Sequence, residues 1–212
     1  MSKTITLLHE KSMDTNINKK VIYNQWSETY DKYVGSLNYY APHNLVKMCL
    51  PFLTNDKSIL DFGCGTGLVG IELKNNFVLN TLTGIDISEG MINECCKKNV
   101  YDKLFNIDIT DNSYNDIDTL IQNMGGEYFD VIICCGVFLE GHLKVQIITD
   151  ILCKLLNKHG YICFSIRDSY YKENIDFFKN IEKSHTLNII TKTKITYLDN
   201  IDAWGFILEV GI

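Results

Sequence analysis

The sequence predicts an α/β protein built on a mostly parallel sheet with helices on both faces. Three observations predict it. Short apolar runs alternate with helical stretches, the runs are continuously apolar, and the last two are separated by only a short turn. Continuous apolar strands alternating with helices belong to a parallel sheet covered on both faces. A connection as short as the last one permits an antiparallel pair, not a parallel crossover. With 212 residues, 46% of them apolar, the chain is long enough for one sizeable core.

The elements follow in order. Residues 1–20 are polar and lack helical periodicity, and they are expected to be disordered. Residues 21–53 hold two helices, forming an N-terminal lid. The second opens near "YAPHNL", where Pro42 suits a first helical turn. Residues 54–212 form the main domain. Strands are expected at 58–62, 81–86, 103–108, 129–135 and 160–167, with helices between them. The clearest helices start after Ser88 and span 143–158. In the latter, Ile148, Ile151, Leu152, Leu155 and Leu156 share a face and Gly160 stands where it would stop. Strands at 187–197 and 203–210 close the chain.

Composition excludes some functions. A net charge of −6 and a pI of about 5.3 leave no basic field for a phosphate backbone, so nucleic acid is not an expected partner. None of the eight cysteines sits in a C-x-x-C pair. They read as small hydrophobes in a reducing compartment, with neither disulfides nor a metal site. No signal peptide, long apolar span or lipidation motif is present, so the expected location is cytoplasmic, away from membranes.

The stretch "ILDFGCGTGLVG" carries the first functional signal. Glycines at 63, 65 and 67 follow a strand and open a helix, the place where an α/β sheet receives its ligand. Glycine there lets the backbone approach that ligand closely. Dinucleotide sites use G-x-G-x-x-G; here the third glycine position of that motif is Leu68. Asp61 precedes the loop, and a carboxylate does nothing for an anionic pyrophosphate. It would suit a ligand bearing an ammonium and a sulfonium. Asp86 ends the second strand, where a carboxylate can accept both hydroxyls of a ribose. Asp108 ends the third, where one can accept from an adenine amino group between Ile107 and Ile109. Three acids at successive strand ends, with the glycine loop, describe a site for S-adenosylmethionine.

With these residues the chain resembles the class I S-adenosylmethionine-dependent methyltransferases from Val21 to its end. A narrower resemblance, to the Williams–Beuren-syndrome-region methyltransferase-like proteins, rests on "YNQWSETYDKYV", "DFGCGTGLVG", "NVYDKLFNIDITD", "FDVIICCGVFLEGHL" and "HGYICFSIR". The resemblance implies a Rossmann-like sheet of seven strands with the last inserted antiparallel. It implies that Asp61, Gly63, Cys64, Gly65, Thr66 and Gly67 face the methionine part of the cofactor. Asp86 and Ile87 would hold ribose and adenine, and Asp108 and Ile109 would read the adenine edge. Cys135, closing the fourth strand, is counted with them.

Each signal has a plainer alternative. The glycine loop also serves as a tight turn, Asp86 as a helix N-terminal acid, and Asp108 as part of a strand-end turn. Tyr23, Trp26, Tyr30 and Tyr33 share a helix face, and they are either packing or a lid over the cofactor with an aromatic near the sulfonium. "GVFLEGHL" follows the fourth strand, where an acceptor enters, so Glu140 and His142 are the candidate proton acceptors. His142 could equally cap the following helix. Arg167, the single arginine, could grip an acceptor anion or pair with Asp168. Cys134–Cys135 lacks the proline context of covalent cytosine methylation, and no "DPPY" or "NPPF" motif follows the fourth strand. The expected function is methyl transfer to a small-molecule acceptor, or to a protein, leaving S-adenosylhomocysteine. The alternative is a module that binds the cofactor without transferring the methyl.

Overall fold

The computed structural model describes residues 3–109, 117–183 and 186–211. Seven strands form one sheet in the order β3-β2-β1-β4-β5-β7-β6. They are β1 (Ser58–Phe62), β2 (Thr81–Asp86), β3 (Lys103–Asn106), β4 (Phe129–Phe138), β5 (Leu156–Arg167), β6 (Leu187–Leu198) and β7 (Ile201–Val210). β1 to β5 pair in parallel, and β7 runs antiparallel between β5 and β6. The turn joining β6 to β7 places Asn200 at φ 60°, a left-handed conformation that asparagine tolerates. From β1 the chain moves outward to β2 and β3 and then returns to the other side of β1 as β4. That reversal opens a crevice at the carboxyl ends of the strands.

The apolar runs divide by parity between two core layers. Ile59, Val131, Ile133 and Ile207 face one layer, with Leu45 and Val46 of α3 (Ala41–Cys49) and Val69 and Leu73 of α4 (Leu68–Asn76). Leu60, Ile132, Phe164 and Phe206 face the other, with Leu120, Ile148 and Phe178. Successive strand side chains point to opposite faces, so a strand covered on both sides must be apolar at every position. The helices otherwise follow their local signals. Pro42 occupies the first turn of α3. Ser88 caps α5 (Glu89–Lys98), its Oγ accepting the Met91 amide at 3.1 Å. Among the described residues no helix is long and apolar enough to cross a membrane.

The structure departs from the sequence reading in four places. Residues 3–13 form a helix, α1 (Lys3–Met13), where disorder is expected. It packs on α2 (Lys19–Ser36): the Tyr33 hydroxyl bonds His9 Nδ1 at 2.9 Å, and Lys19 Nζ donates to the Ser12 carbonyl at 2.8 Å. The helix expected over 143–158 is broken into α7 (Ile147–Asp150) and a 3-10 turn at Leu152–Leu155, after which Leu156 enters β5. Ile147, Ile148, Thr149 and Ile151 are β-branched and stiff in a helix, and Ile151 adopts φ −123°, which ends it. β3 stops at Asn106, with Ile107 and Asp108 just beyond. β4 runs on to Phe138 across a register shift after Cys134, with Gly136 at φ 74°. That irregularity re-aims the strand end toward the crevice.

Phe206 is fully buried, and its ring stacks on Phe164 at 5.0 Å and Phe178 at 5.1 Å. Phe206→Ala is expected to lower unfolding stability by about 3–5 kcal/mol, read from the shift in urea midpoint at unchanged m-value.

Candidate functional site

The loop from β1 to α4 is shaped by its glycines. Gly63, Gly65 and Gly67 have φ of 76°, 53° and 89°, left-handed values that glycine adopts without strain. A Cβ on Gly63 would collide with Val137, and one on Gly67 would stand 2.8 Å from Cys95 Sγ. A Cβ on Gly65 would meet no heavy atom within 4 Å, and Gly65 lines the main cavity.

β2 holds this loop in place. The amides of Gly63 and Cys64 both donate to the Ile85 carbonyl at 2.9 Å. The Gly65 amide donates to Asp86 Oδ2 at 2.9 Å, and the Ser88 amide to Asp86 Oδ1 at 2.8 Å. Burial raises the Asp86 carboxyl to about 6, against the pull of those two amides.

The cavity, about 400 Å³, falls within the roughly 300–1,000 Å³ of small-molecule sites. Ten of the sequence-selected residues line it: Tyr23, Tyr30, Gly63, Gly65, Asp86, Ile87, Asp108, Ile109, Cys135 and His142. Apolar walls of Ile85, Ile87, Met91, Ile107 and Ile109 stand among the acids. Cys135 is no nucleophile, because burial pushes its thiol up to about 12.

The remaining selected residues lie elsewhere. Asp61 is fully buried and shares the parity of Ile59, which turns it toward α4 and Tyr101 instead of the cavity. Its Oδ2 accepts the Tyr101 hydroxyl at 2.5 Å, while Oδ1 has no hydrogen-bond partner among the described residues. Desolvation raises this carboxyl to about 7. Cys64 packs against Ile92 and Cys95. Thr66 donates to Asp31 Oδ1 at 2.5 Å, and Asp31 also pairs with Lys98 at 2.5 Å. Trp26 is buried between Tyr30 and Tyr33, with ring centroids 5.0 and 5.3 Å away. Glu140 is exposed, and its contribution is a backbone carbonyl.

That carbonyl fixes the state of His142. His142 Nδ1 lies 3.2 Å from the Glu140 carbonyl, and Nε2 lies 2.7 Å from the Tyr23 hydroxyl. A carbonyl only accepts, so Nδ1 carries the proton and Nε2 accepts from Tyr23. Burial lowers the imidazole to about 4, and Lys19 and Arg167 push the same way. His142 is therefore neutral at physiological pH, with its lone pair directed at a tyrosine that lines the cavity.

Several contributors carry little sequence signal. Asn18 and Lys19 line the cavity from the segment read as disordered. On α2, Asn24 Oδ1 accepts from the Ser88 hydroxyl at 2.7 Å and the Gly90 amide at 2.9 Å. A Cβ on Gly90 would stand 2.8 Å from Ser27 Oγ, so α2 sits close on α5. Asn24, Ser27 and Asp31 fall at i, i+3 and i+7, one helix face, and that face meets the start of α5 and the glycine loop.

Comparison with known proteins bears on the family and the fold. Residues 53–202 match the methyltransferase domain family. Methyltransferase-like protein 27 of Homo sapiens is 27% identical over 164 residues, covering 73% of this chain and 61% of that protein. The malonyl-[acyl-carrier protein] O-methyltransferase of Priestia megaterium is 30% identical over 120 residues, covering 54% of this chain and 44% of that enzyme. The alignments thus span about half of these curated relatives' lengths. Among solved structures, an S-adenosylmethionine-dependent methyltransferase from Clostridium acetobutylicum superposes with a TM-score of 0.58 at 16% identity, covering 90% of this chain and 99% of that one. It shares the Rossmann-like fold.

Asp61 gives the site a measurable pH signature. The native state favours its protonated form up to about 7, whereas an ordinary aspartate releases its proton near 3.8. Its stabilising contribution is therefore full at low pH and is lost as pH rises through 7. Asp61→Asn is expected to flatten the decline in urea midpoint between pH 4.5 and 7.5; parallel curves for the two proteins would refute the raised carboxyl.

Proposed function

This chain belongs to the methyltransferase domain family, and on that premise we propose that it transfers a methyl group from S-adenosylmethionine to a small-molecule acceptor, leaving S-adenosylhomocysteine. One observation carries the reading: two carboxylates, Asp86 and Asp108, border a cavity floored by an open glycine backbone. When bound, S-adenosylmethionine supplies a methyl group already activated on a sulfonium.

The residues present fit that ligand. Asp86 spends one lone pair of each oxygen on a backbone amide and has another on each for the two hydroxyls of a ribose. Ile87, Ile107 and Ile109 offer apolar surface to a flat base, and Asp108 stands beside Ile109 at its edge. The open position over Gly65 admits the methionine part. Tyr23 and Tyr30 bring aromatic surface, which attracts a cation when water is excluded. Displacement at a sulfonium methyl needs a nucleophile about 3 Å away and in line, so most of the protein's work is orientation and exclusion of water. Where the acceptor must lose a proton, the Tyr23 hydroxyl is the group in the cavity and His142 Nε2 is the base behind it. Glu140 orients that base through its carbonyl.

Isothermal titration with S-adenosylhomocysteine, with NADH as control, tests the donor. Binding of the first alone is expected. Affinity should fall as pH drops below about 6, where Asp86 takes up a proton and its oxygens no longer accept freely. Asp86→Asn should weaken binding by about tenfold or more, the loss of a charge-assisted hydrogen bond, and should remove that pH dependence. Equal binding by the variant would overturn the ribose assignment.

A further inference from the structure

A second, smaller cavity of about 50 Å³ lies behind the aromatic face of α2. Tyr23, Tyr30 and Gly136 form walls of both cavities. Arg167, at the end of β5, and Trp26 line the smaller one. Both carry a buried donor without an acceptor: Arg167 Nε and Trp26 Nε1 have no hydrogen-bond partner among the described residues. Neither group can turn round to accept, because guanidinium and indole N–H groups only donate.

Among the described residues Arg167 forms no ion pair, and its side chain bonds the Tyr197 hydroxyl. Its neighbour Asp168 bonds Lys172 at 2.6 Å and the Trp204 indole at 2.8 Å instead. The guanidinium rests 5.1 Å from the centroid of the Tyr197 ring, and one of its terminal nitrogens lies 3.9 Å from the Met13 sulfur. The hydroxyls nearby are engaged, Tyr33 with His9 and Tyr39 with Tyr197. His9 is lowered by burial and by Arg167 itself. A partly buried cation and two orphaned donors are costly unless an anion meets them.

We propose that this cavity is the subsite for a carboxylate on the methyl acceptor, received by Arg167 and Trp26. The proposal rests on the donor reading above and adds the chemical class of the acceptor. A water molecule needs roughly 10–15 Å³ of such space, so the cavity suits a group of a few heavy atoms. A carboxylate brings two oxygens, and a small shift of the Arg167 and Trp26 side chains, whose orphaned nitrogens are closed off as they stand, would let each meet one. A phosphate dianion would call for more cations, and Arg167 is the one charged side chain among the described residues that line the cavity. Tyr23, Tyr30 and Gly136 stand between the two cavities, so the body of the acceptor would lie in the main cavity and its carboxylate would pass between these residues.

The test uses phenylacetate, hexanoate, their primary amides and phenyl phosphate, titrated into the full chain with and without saturating S-adenosylhomocysteine. The carboxylates are expected to bind about tenfold or more tightly than the amides, the value of one charge-assisted hydrogen bond. Arg167→Gln should remove that preference while S-adenosylhomocysteine affinity stays unchanged, which also reports that the variant is folded. Trp26→Phe, which keeps the ring and loses the N–H, should weaken the carboxylates several-fold. Acids and amides binding alike, no carboxylate binding, preference for phenyl phosphate, or an indifferent Arg167→Gln would each overturn the proposal. Carboxylate binding without any response to S-adenosylhomocysteine would overturn the donor assignment and leave the anion subsite standing.

Discussion

The site depends on one carboxylate. Asp86 receives the Gly65 amide on one oxygen and the Ser88 amide on the other, so a single side chain joins the glycine loop to the start of α5. Other bonds support each segment separately, the Ile85 carbonyl and Asp31 on the loop and Asn24 on the helix start, but Asp86 is the side chain that joins the two. The loop alternates left-handed glycines with the buried Cys64 and Thr66, and a helix start leaves amides unsatisfied. β2 delivers Asp86 to this position because its pairing with β1 sets Asp61 beside Gly84 and Phe62 beside Ile85. The sheet register therefore determines the shape of the binding floor.

α2 completes the arrangement from outside. Asn24 meets Ser88 and Gly90 at the start of α5, and Asp31 meets Thr66 in the glycine loop and Lys98 at the end of α5. The aromatic residues on the same helix then bound the cavity. A segment that the sequence marks as a lid is thus fastened to the glycine loop through Asp31 and to both ends of α5 through Asn24 and Asp31.

The parts legible in the sequence are those governed by short-range rules. Unbroken apolar strands such as Val131–Ile133 require cover on both faces, the glycine spacing requires left-handed backbone, and Ser88 before an amphipathic stretch announces a cap. Three features escape those rules. α1 has no periodicity of its own and is defined by contacts that His9, Ser12 and Lys19 make with other elements. Leu152, Leu155 and Leu156 are buried as a helix would bury them, yet a 3-10 turn and a strand bury them equally well. Asp61 has the right type and spacing for a ligand contact, but strand parity sends it to the opposite side of the sheet from Leu60, under Tyr101. Its burial explains its raised carboxyl better than any ligand does.

Charge is divided across the site in a way that the net charge of −6 conceals. The acids, Asp86 and Asp108, border the glycine-loop side of the main cavity, and the cations, Lys19 and Arg167, approach from α2 and β5. The two histidines nearest Arg167 are held neutral, so they neither cancel nor add to its field. A cationic donor and an anionic acceptor would be drawn to opposite walls, with the electrostatic gradient running along the line that joins them. Such a division favours each ligand in its own place and disfavours exchange between the places. Burial, helped by Lys19 and Arg167, accounts for the neutral state of His142. Between two cations an imidazole is cheapest uncharged, and an uncharged imidazole with its Nδ1 proton fixed on a carbonyl has only Nε2 left to receive a proton.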